Sequence, residues 1–327
     1  MAGGRRLRIV AIGGGTGLST LLRGLKSHPV DITAIVTASD DGGSSGKLRG
    51  QLGVPPPGDI RNCLVALAEA EPLMQELFQY RFPAGSELGG HSLGNLLLAA
   101  LTQLTGDFEQ AVALCSGVLK IRGQVLPATR DPVVLGAELQ DGSVVRGETV
   151  VTTCGPRVRR LFLEPAGAEP LPQALEALEA ADAIVLGPGS LYTSVIPPLL
   201  VEGLRQAVCR TQALRIYVCN VMTQPGETDG YSASRHVEVL FGQVGAQVAD
   251  VAVVNVQRPH PDLLVRYRVQ GAQPVVADPE VMRSMGLRVV KGRLLQEGDW
   301  VRHHPERLAR VVVGLAGGAQ RRRLWQN

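Results

Sequence analysis

The stretch that most constrains this chain is the apolar run Leu7 to Ile12, followed at once by Gly13-Gly14-Gly15-Thr16-Gly17 and then by Leu18 to Leu25 (LSTLLRGL). A strand that feeds a glycine turn and then a helix leaves the free N–H groups of the first helical turn pointing at whatever lies over the turn. Glycines suit such a turn because a Cβ would hold a pyrophosphate away from the backbone and oppose positive φ angles. Gly14, Gly15, Thr16 and Gly17 are therefore candidate phosphate contacts. The spacing departs from the dinucleotide fingerprint G-x-G-x-x-G, because Leu18 stands where the third glycine belongs. Two readings stay open at this point: a phosphorylated ligand, or a tight strand-to-helix turn with none.

The next unit repeats the pattern. Asp31 to Ser39 (DITAIVTAS) is a continuous β-branched run, the mark of a parallel strand buried on both faces. Asp40 and Asp41 stand at its carboxyl end, ahead of Gly42-Gly43-Ser44-Ser45-Gly46-Lys47. An acidic side chain ~20 residues past a glycine turn can reach a ribose hydroxyl. It can also hold magnesium together with phosphate oxygens, or close an Asx turn. The stretch from Gly42 to Lys47 is one residue short of a Walker A loop, and Leu48 replaces its magnesium-binding Ser or Thr. Pro55-Pro56-Pro57-Gly58-Asp59 leads into a helix beginning near Ile60, so Asp59 reads as its N-cap or as a further acid of a metal or phosphate site. Gly90-His91-Ser92-Leu93-Gly94 fits the nucleophile elbow G-x-S-x-G, but the preceding RFPAGSELG holds no buried strand. A hydrolase is thereby disfavoured. His91, Ser92 and Asn95 remain as hydrogen-bonding groups for a ligand.

A period-two pattern then sets in. Val133 to Leu139, the turn Gln140-Asp141-Gly142-Ser143, and Val144 to Val151 predict a hairpin, with Arg159 to Glu164 as a further strand. This reads as an insertion, at about 125–165, within one α/β domain spanning 1–320. Beyond it, Ala183 to Leu186 is a buried strand that ends in a second glycine loop, Gly187-Pro188-Gly189-Ser190-Leu191-Tyr192-Thr193-Ser194. A helix at Leu199 to Val208 and strands at Leu214 to Val221 and Val251 to Val256 follow. Short elements at Pro261 to Val269, Pro274 to Ala277, Leu287 to Val290 and Pro305 to Leu315 complete the alternation. The expected fold is a three-layer α/β/α, Rossmann-like domain with a mostly parallel sheet. Ligands of such sheets bind beyond the carboxyl ends of the strands, and every unusual polar loop named above falls there.

Composition narrows the function classes. A net charge of +3 over 327 residues is too mild to point to nucleic acid, and Arg321-Arg322-Arg323 in the tail 321–327 reads as a solvated basic cluster. The five cysteines are scattered without metal-ligand spacing, as in a chain with free thiols in a reducing compartment. No apolar stretch reaches the ~18 residues of a membrane span, and a cytoplasmic protein is expected.

Six segments taken together carry a resemblance. Gly13 to Ser19, Ser39 to Gly46, Pro55 to Asn62, Gly90 to Asn95, Gly187 to Ser194 and Asn220 to Asp229 (NVMTQPGETD) resemble, in order and over nearly the whole chain, the YvcK family of gluconeogenesis factors. That family is similar in fold to the CofD phospholactate transferases. The resemblance implies a bacterial protein that binds UDP-N-acetylglucosamine. It also implies regulation of cell-wall precursor supply and cell shape on gluconeogenic carbon, with protein partners in that pathway; a homo-oligomer is expected separately. In the related transferases, aspartates at the positions of Asp40, Asp41 or Asp59 hold a divalent ion, which makes magnesium a possible cofactor. The segments after Asp41 and from Asn220 to Asp229 follow the YvcK pattern and depart from that of the transferases, so a deazaflavin acceptor is not implied.

On this basis the ligand site is expected to include Gly14, Gly15, Thr16, Gly17, Asp40, Asp41, Gly42, Ser44 and Asn95 from the first half. From the second half it takes Gly187, Pro188, Gly189, Ser190, Tyr192, Thr193, Asn220 and Thr223. Tyr192, Tyr231 and Tyr267 are candidates to stack on uracil, and Arg302 is a candidate to fold back on the diphosphate. The competing readings are a magnesium-dependent transferase acting on a nucleotide-diphosphate-linked substrate and, from the first βαβ unit alone, an NAD-dependent enzyme.

Overall fold

The computed structural model describes residues 5–324 except 297 and 299, with only the backbone for 322–324. The first half runs β1 (Leu7–Gly13), α1 (Gly15–Leu25), β2 (Val30–Val36), α2 (Gly43–Leu52), α3 (Gly58–Leu67), α4 (Pro72–Gln79), α5 (Leu93–Thr105), α6 (Phe108–Leu119) and β3 (Gln124–Pro127). Next come β4 (Val134–Leu139), β5 (Val144–Arg146), α7 (Glu148–Val151) and β6 (Val158–Glu164). The second half holds α8 (Pro172–Glu179), β7 (Ala183–Leu186), a wide π turn over Leu191–Val195, α9 (Ile196–Leu200), α10 (Glu202–Arg210), β8 (Leu214–Val218) and α11 (Ala233–Val244). It closes with β9 (Val251–Asn255), α12 (Pro261–Val269), α13 (Pro279–Ser284), β10 (Arg288–Gly292), the small strands β11 (Leu295–Gln296) and β12 (Arg302–His303), and α14 (Pro305–Leu324).

Seven strands form one parallel sheet in the order β10-β9-β8-β7-β1-β2-β3. The apolar runs have the two-faced burial that parallel strands require. Val10, Ile12, Ile184 and Leu186 enter one core, and Ile9, Ala11, Ala183 and Val185 enter the other. Helices cover both faces, which is the α/β/α arrangement expected. The chain winds outward from β1 to β2 and β3 on one side and from β7 to β10 on the other, so the order reverses between β1 and β7. Their register (Ile9 beside Ala183, Ile12 beside Leu186) ends the two strands side by side. Ligands of open α/β sheets sit at such a switch point.

Several boundaries differ from the sequence reading. The antiparallel sheet β5-β4-β6 occupies 134–164, while 124–127 joins the main sheet as its β3 edge. Strand β5 stops at Arg146 because Gly147, at φ +93°, turns the chain into α7. The expected helix from Leu199 to Val208 is divided by an extended Val201. Pro274 makes only a bridge to Met222, and Pro274–Ala277 forms no strand. The described cysteines are all free thiols. Among the described residues, no helix is long and apolar enough to cross a membrane.

Candidate functional site

The two glycine loops leave β1 and β7 and press backbone on backbone. A Cβ on Gly17 would stand 2.4 Å from the Pro188 carbonyl oxygen, and one on Gly189 3.2 Å from that of Gly14. Only glycine at position 17 permits that approach. Gly15, at φ +64°, starts α1, and no side chain of the preceding Gly14 caps it. The first-turn N–H groups therefore face the space above the loops, where the helix dipole favours an anion. Asn220 clamps the second loop, accepting from Gly189 N at 3.2 Å and donating to the Gly189 carbonyl at 2.7 Å. Glu227 holds it from behind: its Oε1 accepts from the Ser190 hydroxyl and from Tyr192 N at 2.8 Å, while Oε2 has no partner among the described residues. Burial pushes the Glu227 carboxyl above its usual range, against the pull of these donors.

Above the loops lies a cleft of about 300 Å³, lined by Gly15–Gly17, Thr20, Pro188–Ser190, Ser194, Asn220–Met222, Gln224 and Val301–His303. Its far wall is a flap made by β11 and β12, which pair antiparallel. The flap brings Arg302 opposite the α1 N-terminus. An arm of about 450 Å³ continues past Thr20, Arg302 and His303 to Arg23 and Trp300. Burial and the neighbouring Arg302 charge both lower the pKa of Arg23, so two guanidinium groups share that arm. A larger groove of about 520 Å³ opens over Arg8, Val10, Thr33 and Gln124, but it holds neither glycine loop.

The acids gather beside the first loop. Asp59 lies in the first turn of α3, yet its carboxylate accepts from Gly15 N–H and from the Asn62 side chain. It thus caps α1 rather than its own helix. Burial, then the Asp40 charge, raise the Asp59 pKa to about 6, against Gly15, Arg61 and Asn62. Asp40 accepts from Gly42 N at 2.9 Å, the Asx turn foreseen as one option. Glu148 on α7, which no sequence signal marked, accepts from Ser39 at 2.6 Å. Burial first, and then Asp40, Asp59 and Asp41, push it well above the carboxylate range, against the Ser39 bond. Asp41 turns away to α7, accepting from both the backbone N and the hydroxyl of Thr149 at 3.0 Å. The three aspartates do not share one cage, and among the described residues no group of three or more His, Cys, Asp or Glu side chains is placed to hold a metal ion.

Other predicted residues fall outside the cleft lining. Tyr192 is 1% exposed, in the core, with its hydroxyl 2.9 Å from that of Tyr231. It offers uracil no face, because its ring packs into the core while Ser194 of the same turn lines the cleft. Thr193 bonds Ser190 at 2.6 Å, and Thr223 pairs with Gln273. Both are buried and hold loops rather than line the cleft. Tyr267 accepts from Val301 N at 2.9 Å and pins the flap from outside. Ser44, His91 and Asn95 form a separate buried cluster, with Ser44 Oγ 3.0 Å from both His91 Nδ1 and Asn95 Nδ2. Ser92 is the N-cap of α5, not a nucleophile on a strand end. The sequence reading missed Thr20, Arg23 and His303. Thr20 and Arg23 lie one and two turns along α1 from the glycines, whereas His303 depends on a flap that no periodicity announces.

Comparison with known proteins supplies the lineage. Residues 9–295 match the family model described as 2-phospho-L-lactate transferase CofD. The gluconeogenesis factor of Bacillus subtilis is 49% identical over 95% of this chain and 99% of its own length. The chain belongs to the CofD family, with the YvcK gluconeogenesis factors. The gluconeogenesis factor of Halalkalibacterium halodurans is 46% identical over 94% of this chain and 96% of its own. A crystal structure of a Bacillus halodurans protein matches with a TM-score of 0.91 at 46% identity, covering 94% of this chain and 100% of that one. The three-layer fold is therefore shared with that structure.

Proposed function

We propose that the protein is a cytoplasmic UDP-N-acetylglucosamine-binding regulator that links central carbon metabolism to cell-wall precursor synthesis and cell shape during gluconeogenic growth. The observation that carries the nucleotide part is the meeting of two glycine loops at the switch point, under a cleft whose opposite wall is Arg302. A diphosphate fits that space: the first-turn N–H groups of α1 beyond the Asp59-bonded Gly15 donate from below, the planar fork of Arg302 donates from above, and the Ser190 and Ser194 hydroxyls flank it. The regulatory part rests on the relatives named gluconeogenesis factor.

Magnesium fits a narrower set than the three aspartates. Asp40 and Asp59 are close enough to raise the Asp59 pKa, and a cation between them would relieve that repulsion. Two carboxylates plus phosphate oxygens are an ordinary magnesium set. Asp41, spent on Thr149, is outside it. Bound there, the ion would supply Lewis-acid polarisation of the diphosphate. That chemistry, together with the transferase description of the matching family, favours a second reading: a transferase acting on a nucleotide-diphosphate-linked substrate.

A homo-oligomeric state is supported by α5, which carries no charged residue and leaves Leu97 and Leu104 exposed beside Leu114 and Val118 of α6.

Thermal unfolding with UDP-N-acetylglucosamine, UDP-glucose, GDP, GTP and NAD, each with and without magnesium, tests these readings. A ligand at a hundred times its Kd adds roughly 2.7 kcal/mol, several degrees for a chain of this size. A shift with UDP-N-acetylglucosamine and no product on long incubation supports the regulator. A magnesium-dependent shift with guanine nucleotides supports the transferase, and a shift with NAD alone contradicts both.

A further inference from the structure

His303 lines both the main cleft and the arm that runs to Arg23 and Trp300, and it is 6% exposed. Its partner Leu295 across the flap fixes its register. The Cys219 backbone carbonyl accepts a hydrogen bond from the ring, while Nε2 has no partner among the described residues. That assigns the bond to Nδ1–H. Burial lowers the ring's pKa to about 4, against the Cys219 carbonyl, so at neutral pH the imidazole is uncharged and Nε2 can only accept. A buried acceptor without a donor is unfavourable, and this one belongs to a residue that lines the cleft.

The other polar groups around the cleft are suited to phosphate: backbone N–H groups, the guanidinium groups of Arg302 and Arg23, and the hydroxyls of Thr20, Ser190 and Ser194. A diphosphate offers His303 no proton. The nucleoside half of a nucleotide does, through the ribose hydroxyls and the ring N–H of uracil or guanine. The arm past His303 ends at the half-exposed Trp300, whose indole is a flat surface for a base.

We infer that His303 contacts the nucleoside and that its Nε2 accepts a hydrogen bond from an N–H or O–H group there, with the base lying along the arm toward Trp300. The inference rests on the nucleotide-sugar reading and deepens it by naming a specificity-determining atom. It also moves the base from the core tyrosines Tyr192 and Tyr231 to the flap side of the cleft.

The test is calorimetric titration of the full chain. His303→Asn keeps an amide N–H near the position of Nδ1 and removes Nε2, whereas His303→Gln places an acceptor near Nε2. The expected result is UDP binding about ten-fold weaker in His303→Asn, close to the parent in His303→Gln, and unchanged pyrophosphate binding in both. N3-methyl-UDP, 2′-deoxy-UDP and 3′-deoxy-UDP identify the donor: the analogue that lacks it binds the parent weakly and loses nothing further in His303→Asn. A folded His303→Asn that binds UDP as tightly as the parent overturns the inference, as does an equal loss for pyrophosphate. Should both variants fail to fold, the parent decides alone: if none of the three analogues is weaker than UDP, the inference falls. If the parent binds no nucleotide, the nucleotide-sugar reading falls with it, whereas normal parental binding without an effect at position 303 removes only His303.

Discussion

On one side of the switch point the chain leaves β1 and β7 through glycine loops and meets a flap carrying Arg302 and His303. On the other it leaves β2 through Ser39-Asp40-Asp41 and gathers Asp40, Asp59 and Glu148. Both sides use strand ends, helix N-termini and tight backbone packing. They differ in what they await. The glycine side presents donors and positive charge and is complete for an anion, whereas the acidic side holds like charges that burial makes worse. Asp59 joins them, since one carboxylate caps the helix that faces the diphosphate and leans on Asp40. On the proposed reading a phosphate and a cation would bind as neighbours that share Asp59, so each ligand should alter binding of the other.

The sharpest way to break this comparison is Gly17→Ala. Its Cβ would meet the Pro188 backbone at 2.4 Å, where no side chain can swing aside, so the loops must part. The expected outcome is loss of nucleotide binding together with about 1–3 kcal/mol of stability, read by ligand titration and denaturant unfolding. Normal binding would mean that loop contact does not shape the site.

The two sides should also answer pH with opposite signs. Asp59 has a folded pKa near 6 against an ordinary 3.8, so the native state binds the extra proton and stability falls as pH rises between those values. His303 has a folded pKa near 4 against 6.5, so the unfolded state binds the extra proton and stability falls as pH drops between those values. Each effect is at most on the order of 3 kcal/mol. Unfolding midpoints from pH 4 to 7 should show a shallower first slope in Asp59→Asn, with buried Glu148 keeping the remainder, and lose the second in His303→Asn, and unchanged profiles would show that these groups are not desolvated as described.

A smaller contrast lies within the acidic side. Asp40→Asn should weaken the magnesium dependence of nucleotide binding, measured by titration with and without the ion. Asp41→Asn should leave that dependence intact and cost about 1 kcal/mol through the loosened start of α7. Equal effects of the two would restore the three-aspartate cage. The smallest expected change is in Leu104→Glu, an 81% exposed position. It should shift the oligomeric state by light scattering while leaving the monomer's stability within about 0.5 kcal/mol.

The parallel strands were legible because burial on two faces leaves an uninterrupted apolar run, as in Ala183 to Leu186. The glycine loops were legible because close backbone approach permits little else. Tyr192 was misplaced because a residue inside a glycine-loop segment looks ligand-facing, and only the π turn that follows shows it packing inward. Asp59 was read correctly as a cap but assigned to the wrong helix, since capping across elements leaves no mark on spacing. Glu148 and His303 were missed for the same reason: α7 and the flap reach the site from elements remote in sequence.

The central claim, that a nucleotide diphosphate binds where the two glycine loops meet the flap, is tested most directly by amide hydrogen exchange with and without saturating UDP-N-acetylglucosamine. The account predicts slowed exchange at 14–20, 188–194, 220–224 and 301–303, and no change around the groove at Arg8, Thr33 and Gln124. Protection confined to that groove, or binding that leaves the glycine loops unprotected, would contradict it.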